Sequence, residues 1–354
     1  MTAAGRRVGR SGLARRLGRG ALGCALALAA TGAAGWAQAQ DSAVILTYQR
    51  FAAVGGPLTT TLAELDAHLA HLAGGGYAVL PLPRVVAALA GGAALPERTV
   101  AIVIEGGHDS VHRLAWPRLR EAGIPATILI TTDMVDDGEP GQMSWGELRE
   151  LASAGAAIGT NGAVYRSLLG RARPLVAGDI GRARRRIVDE LGAPPEIFAY
   201  PYGLHDAALR LAVAESGFIA ALGQQSGAAY RASELFALPR FSVFDRFATP
   251  ERFRVVVDAL PMPVSELVPA EPLVEANPPD IGFTLAEGLG PAERLSCYVG
   301  GIGPVALDRL GARRIELVLP RPLPAGRTRV NCTLPGPDGR WRWLGLQLLV
   351  PGGG

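Results

Sequence analysis

From Asp41 to about Leu260, strand-like and helix-like segments alternate, and this alternation limits the fold more than any other feature of the chain. "SAVILTY" (42–48), "YAVLPL" (77–82), "TVAIVI" (99–104), "PATILITT" (125–132) and "AAIGT" (156–160) read as strands. So do "EIFAYP" (196–201), "FIAALG" (218–223) and "FALPRFSV" (236–243). The Val- and Ile-rich runs have the composition of parallel strands buried on both faces. Between them, 61–76 places Leu62, Leu65, Leu69 and Leu72 on one helical face, and 175–192 and 206–217 are amphipathic helices ending in glycine. Ser144 and Glu147 form a capping box that opens another helix. About eight strands alternating with helices predict an α/β fold, a parallel barrel first and a doubly wound open sheet second.

The flanking regions differ. Arginines at 6, 7, 10, 15, 16 and 19 precede the apolar run "ALGCALALAATGAAG", and Ala37-Gln38-Ala39 is a small-residue cleavage site. Residues 1–39 therefore read as a signal peptide, too short for a comfortable membrane anchor. Cys24 gives only a weak lipoprotein box, and Arg15-Arg16 a weak twin-arginine hint. The chain's formal net charge is +3. Removing the leader, with six arginines and no acid, takes it to −3, so nucleic-acid binding has no compositional support. Residues 261–280 are proline-rich and read as a linker. Residues 281–350 carry short strand-like runs, with a hairpin turn at "GPDGR" (336–340), and predict a small antiparallel, sandwich-like β-domain. In an exported chain Cys297 and Cys332 are expected to form a disulfide there. Trp341 and Trp343 alternate on one strand and are expected to pack one face of that domain.

Four polar clusters follow strands: Tyr48-Gln49-Arg50, Glu105 to Asp109, Asn161 to Tyr165, and Pro201-Tyr202-Gly203. In a parallel barrel such strand ends converge on one rim and form one cleft. "TVAIVIEGGHDS", "IGTNGAVYRSL", "FAYPYG" and "FALPRFSV", with "ILTYQRF" and "MSWGELRELASAG", resemble in order and spacing the successive motifs of NodB-type polysaccharide deacetylases. The resemblance covers 42–260 and implies a deformed (β/α) barrel. It also implies an activity, metal-assisted hydrolysis of the N-acetyl C–N bond in a polysaccharide.

The family's first motif supplies two adjacent aspartates, a general base and a metal ligand, and its second supplies two histidines four apart. Matched position by position, this chain has Glu105 at the base, Gly106 at the ligand aspartate, and Asn161 and Tyr165 at the histidines. The arginine of the third motif has no match, with Ala199 and Tyr200 lying near its place, and the family's late catalytic histidine has no match before the linker. Glycine offers no ligand, an amide oxygen is a poor one for a borderline metal, and a phenol is protonated at neutral pH. The expectation is a degenerate, exported, periplasmic or cell-surface protein with no cofactor. It would bind a polysaccharide or other N-acetylated glycan, or an envelope protein, through Tyr48, Asn161, Tyr165, Pro201 and Tyr202, with Glu105 a residual base. One alternative is an active hydrolase in which Glu105, His108 and His112 hold zinc or another divalent metal at a relocated site. Another is a scaffold in exopolysaccharide assembly. His205 is expected in solvent, His68 and His71 on a surface helix, and Trp145 in the core.

Overall fold

The computed structural model describes residues 41–351; the leader expected over 1–39 lies outside them. The first sheet is built on β1 (Ser42–Tyr48), β2 (Thr99–Glu105), β3 (Thr127–Ile130), β4 (Ala157–Thr160), β5 (Ile197–Ala199) and β6 (Ala220–Leu222), side by side in that order and parallel. The segment 238–243 closes it. Leu238 bridges Leu222 of β6, and Phe241–Ser242, β7, runs parallel to β1. The result is a deformed parallel barrel rather than an open sheet. An extra short strand, Ala229–Tyr230, lies antiparallel to β1.

Side-chain alternation sorts the strand residues into two layers. Ala43, Ile45, Ala101 and Val103 belong to one core with helix Leu82–Gly91. Val44, Leu46, Tyr48, Ile102 and Ile104 belong to another, shared with helices Leu62–Gly74 and Trp145–Ser153. Both of those helices open on complete capping boxes, Thr61 with Glu64 and Ser144 with Glu147. Trp145 is in the core, its indole N–H on Asp136 at 2.7 Å.

The second sheet contains β8 (Val264–Val268), β9 (Ile281–Leu285), β10 (Ser296–Val299), β11 (Gly303–Leu310), β12 (Arg314–Val318), β13 (Gly326–Pro335) and β14 (Trp341–Val350), in the order β14-β13-β10-β11-β12-β9-β8. Its β11 changes partners along its length. Gly303–Val305 pair with β10, and Ala306–Leu310 with β12. The sheet thereby folds over, and both halves fill one core that includes Phe283, Ile315, Val330 and Leu348.

The proline-rich stretch 261–280 is not a free linker. Val264 and Ser265 pair with Leu285 and Thr284, and Met262 and Val274 enter the second core. The prolines stand outside β8, at 261 and 263 before it and at 269, 272, 278 and 279 after it, so none removes a donor from its pairing with β9. Trp343 packs edge-on against Phe241 of the barrel, at 5.1 Å between ring centroids, so it fills the seam between the two sheets. Gly345 permits the same closeness: a Cβ there would stand 2.2 Å from the Ser226 carbonyl oxygen. Trp341 remains partly exposed.

Cys297 and Cys332 face each other directly across β10 and β13 and form a disulfide inside the second core. The bond closes a sequence separation of 35 residues. Replacing both by alanine is expected to lower the stability of the second sheet by about 4 kcal/mol through released chain entropy. Urea unfolding of the variant beside the oxidised and reduced wild type checks it.

Candidate active site

At the C-terminal ends of the barrel strands lies a cavity of about 440 Å³. Thr47, Glu105, Thr131, Tyr165, Tyr202, Gln224 and Arg240 reach it from β1 through β7 or the loops that follow them, and Arg327 and Arg329 reach it from β13 of the second sheet. All of β2 is buried, and Glu105, its last residue, follows the inward alternation of Ala101 and Val103. The chain then turns through Gly106 (φ +101°) and Gly107 (φ +63°), conformations open to glycine. This turn folds the His108 ring back beneath Gly106.

Both oxygens of Glu105 are occupied. Oε1 accepts from Asn161 Nδ2 at 2.8 Å and from the Tyr165 hydroxyl at 3.4 Å. Oε2 lies 2.8 Å from Arg240 Nη1, and both side chains of this ion pair are 2% exposed. Arg240 Nε also donates to the Gly223 carbonyl at 2.6 Å, which fixes the guanidinium; among the described residues neither Nη1 nor Nη2 has a hydrogen-bond partner, and Nη2 has no ion pair either. Burial, then the charge of Glu105, pushes the Tyr165 hydroxyl well above the ordinary phenol value, so it stays a protonated donor.

The loop after β4 is held by Asp179, a buried carboxylate that accepts from the Ala163 and Val164 amides at 3.0 and 3.3 Å. Tyr202 adopts φ +61° in the Pro201–Gly203 turn, stands edge-on to Tyr165 at 5.0 Å, and is 36% exposed.

Several expected site residues lie elsewhere. Tyr48 is in the outer core, its hydroxyl 3.1 Å from His68 Nδ1. Alternation gives the cleft position to Thr47, one residue earlier. Asn161 is fully buried beneath Glu105, donating to it and to the Ala199 carbonyl, and so is not a cleft surface. Pro201 is buried too; it shapes the turn that presents Tyr202.

His108 and His112 do not share a face, because His108 precedes the π-helical turn Val111–Ala115. His108 lines the cleft and accepts from Arg50 Nε at 3.2 Å, whereas His112 pairs with Glu147 and Glu150. His205 is buried rather than solvated, 4.9 Å from the Tyr200 ring and bonded to Arg210. His68 is also buried, since it falls on the same helical face as Leu65, Leu69 and Leu72. The sequence reading missed Arg240, Arg327, Arg329 and Asp179. For Arg240 a signal existed, a lone cation within the otherwise apolar "FALPRFSV".

The residues present do not fit the metal that the resemblance implies. A Cβ at Gly106 would come within 2.8 Å of His108 Nε2, so the imidazole fills the space where a ligand side chain would begin. Asn161 turns its amide N–H groups to Glu105 and Ala199, and Tyr165 keeps its proton. Among the described residues no three His, Cys, Asp or Glu side chains are grouped to hold a metal ion. Gly106→Ala is expected to destabilise the protein by about 1–3 kcal/mol, through its positive φ and this contact. Chemical denaturation of the variant reads that loss directly.

The sequence profile described as polysaccharide deacetylase matches residues 92–221. A Bacillus subtilis (strain 168) protein named "Putative polysaccharide deacetylase YxkH" is 23% identical over 199 residues, 56% of this chain and 70% of the relative. Among solved structures, the Streptococcus pyogenes deacetylase PplD in complex with acetate aligns with a TM-score of 0.57 at 18% identity, covering 61% of this chain and 98% of that one. IcaB from Ammonifex degensii aligns at 0.55 and 22% identity, covering 60% and 97%. Over residues 92–221 this chain is similar to the polysaccharide deacetylases, and its barrel has the fold of the PplD and IcaB structures.

Proposed function

We propose that this protein binds a polysaccharide in the barrel cleft without metal-assisted deacetylation. One observation carries the reading: Glu105, at the base position, is locked between Arg240, Asn161 and Tyr165, and the ligand positions around it hold Gly106, Asn161 and Tyr165. A general base must be free to take a proton from water or substrate, and this carboxylate has hydrogen-bond donors on Oε1 and a guanidinium ion-paired at Oε2. Tyr202, half-exposed beside Tyr165, offers a sugar ring an aromatic surface. The leader read over 1–39 directs the protein out of the cytoplasm, to the periplasm or cell surface, where an envelope polysaccharide is within reach. Among the described residues no helix is long and apolar enough to cross a membrane.

The experiment pairs metal analysis of the purified protein with acetate release from N-acetylated oligosaccharides and calorimetric glycan binding. The expected result is no stoichiometric metal, no acetate, and binding that Tyr202→Ala weakens about tenfold. One tightly held zinc per chain together with acetate release would overturn the proposal.

A further inference from the structure

The cleft has a charge imbalance that a neutral N-acetylated sugar does not explain. Four arginines line it, Arg50, Arg240, Arg327 and Arg329, against one carboxylate, Glu105. Arg240 takes that carboxylate. Among the described residues the other three have only neutral acceptors. Arg50 donates to His108, Arg327 to the Tyr202 carbonyl and Gln224, and Arg329 to Gln224. Arg240 Nη2 is buried at the cleft with no hydrogen-bond partner among the described residues. An unsatisfied guanidinium nitrogen in a buried site is costly, and the cost is removed by an acceptor that enters the cavity. Clustered like charges have the same remedy. Burial, and then the charges of Arg240, Arg327 and Arg252, hold Arg329 below its ordinary value. The cavity, about 440 Å³, lies in the small-ligand range.

We infer that the cleft recognises an acidic saccharide, a sugar unit whose carboxylate enters among Arg50, Arg240 and Arg329 while its ring lies against Tyr165 and Tyr202. The guanidinium fork matches a planar carboxylate bidentately. Arg327, with its guanidinium carbon 5.3 Å from the centre of the Tyr202 ring, holds that ring in place and adds positive charge at the mouth. Both strand-borne arginines come from the second sheet, so that sheet supplies part of the specificity of the barrel.

This inference rests on the cleft being a glycan site. The test therefore compares, by calorimetry on the intact exported chain, a hexuronic acid disaccharide, a neutral N-acetylated disaccharide and inorganic phosphate. The acidic disaccharide is expected to bind at least tenfold more tightly than the neutral one and to weaken as salt rises. The paired change Arg50→Gln and Arg329→Gln should remove most of that preference while thermal unfolding stays near wild type. Equal binding of acidic and neutral sugars would overturn the charge assignment and leave the glycan site standing. Phosphate binding more tightly than the uronate would overturn the choice of a carboxylate. Binding of none of the three would remove this inference and the proposed function together.

Discussion

Stability is expected to drop by about 6 kcal/mol between pH 8 and pH 5, because three histidines are buried in the neutral form. His68, His108 and His205 are each held down to about 4, in every case chiefly by burial. Their neighbours agree with neutrality. His68 Nε2 must donate to the Ala248 carbonyl at 2.8 Å, which leaves Nδ1 to accept from Tyr48, while Phe253 stacks on the ring at 3.9 Å. Arg50 faces His108 and Arg210 faces His205, and both cations oppose a second positive charge. Glu64 beside His68, Asp109 beside His108, and Glu271 and Asp206 near His205 pull the other way, but less strongly than burial.

In the unfolded chain each imidazole takes up its proton below about 6.5. Between there and 4 the unfolded state binds more protons than the folded one. This contribution to stability is therefore fully present above 6.5, and it is lost as the pH falls. By pH 5 each histidine has cost the folded state about 2 kcal/mol, against a total stability for ordinary domains of about 5–15 kcal/mol. Urea midpoints measured from pH 8 to 5 should fall steadily, and His205→Gln should flatten the slope by about one third. A flat profile would mean that the imidazoles ionise in the folded protein.

The barrel was legible because its strands are apolar on both faces and its helices carry complete start signals, such as Ser144 with Glu147. The alternation of the β1 residues was legible too, but not which face of Tyr48 met the cavity, since that depends on which layer the neighbouring strands place inside. Glu105, Tyr165 and Tyr202 reach one cleft, and their motif positions were readable in order. Arg240 was not, because its partner lies 135 positions earlier and only closure of the barrel through 238–243 brings the two together. Arg327 and Arg329 were hidden for a similar reason. A strand that alternates "RTRVNC" reads as an ordinary solvated face until the second sheet is laid against Tyr202 and Gln224. Proline density in 261–280 hides the strand Val264–Val268, because the five residues between Pro263 and Pro269 are themselves free of proline and pair with β9.

Arg240→Met is expected to destabilise the protein by about 3–5 kcal/mol, since it leaves Glu105 buried without its cation. Glu105→Gln should cost a comparable amount for the converse reason, as the Arg240 charge cannot be shed at any accessible pH. The double variant Glu105→Gln with Arg240→Met removes both charges and keeps the amide within reach of Asn161 and Tyr165. It should recover most of the loss, leaving it within about 1–2 kcal/mol of wild type. A buried pair is weak evidence for net stabilisation, and the recovery distinguishes a pair kept for its charge from one kept for its shape. If the double variant folds well yet no longer prefers the acidic disaccharide, the pair serves the cleft by presenting the unpartnered Nη2 of Arg240 to ligand. If the double variant is no better than either single change, the guanidinium is needed chiefly for its bond to the Gly223 carbonyl, which pins β7 against β6 and keeps the barrel closed.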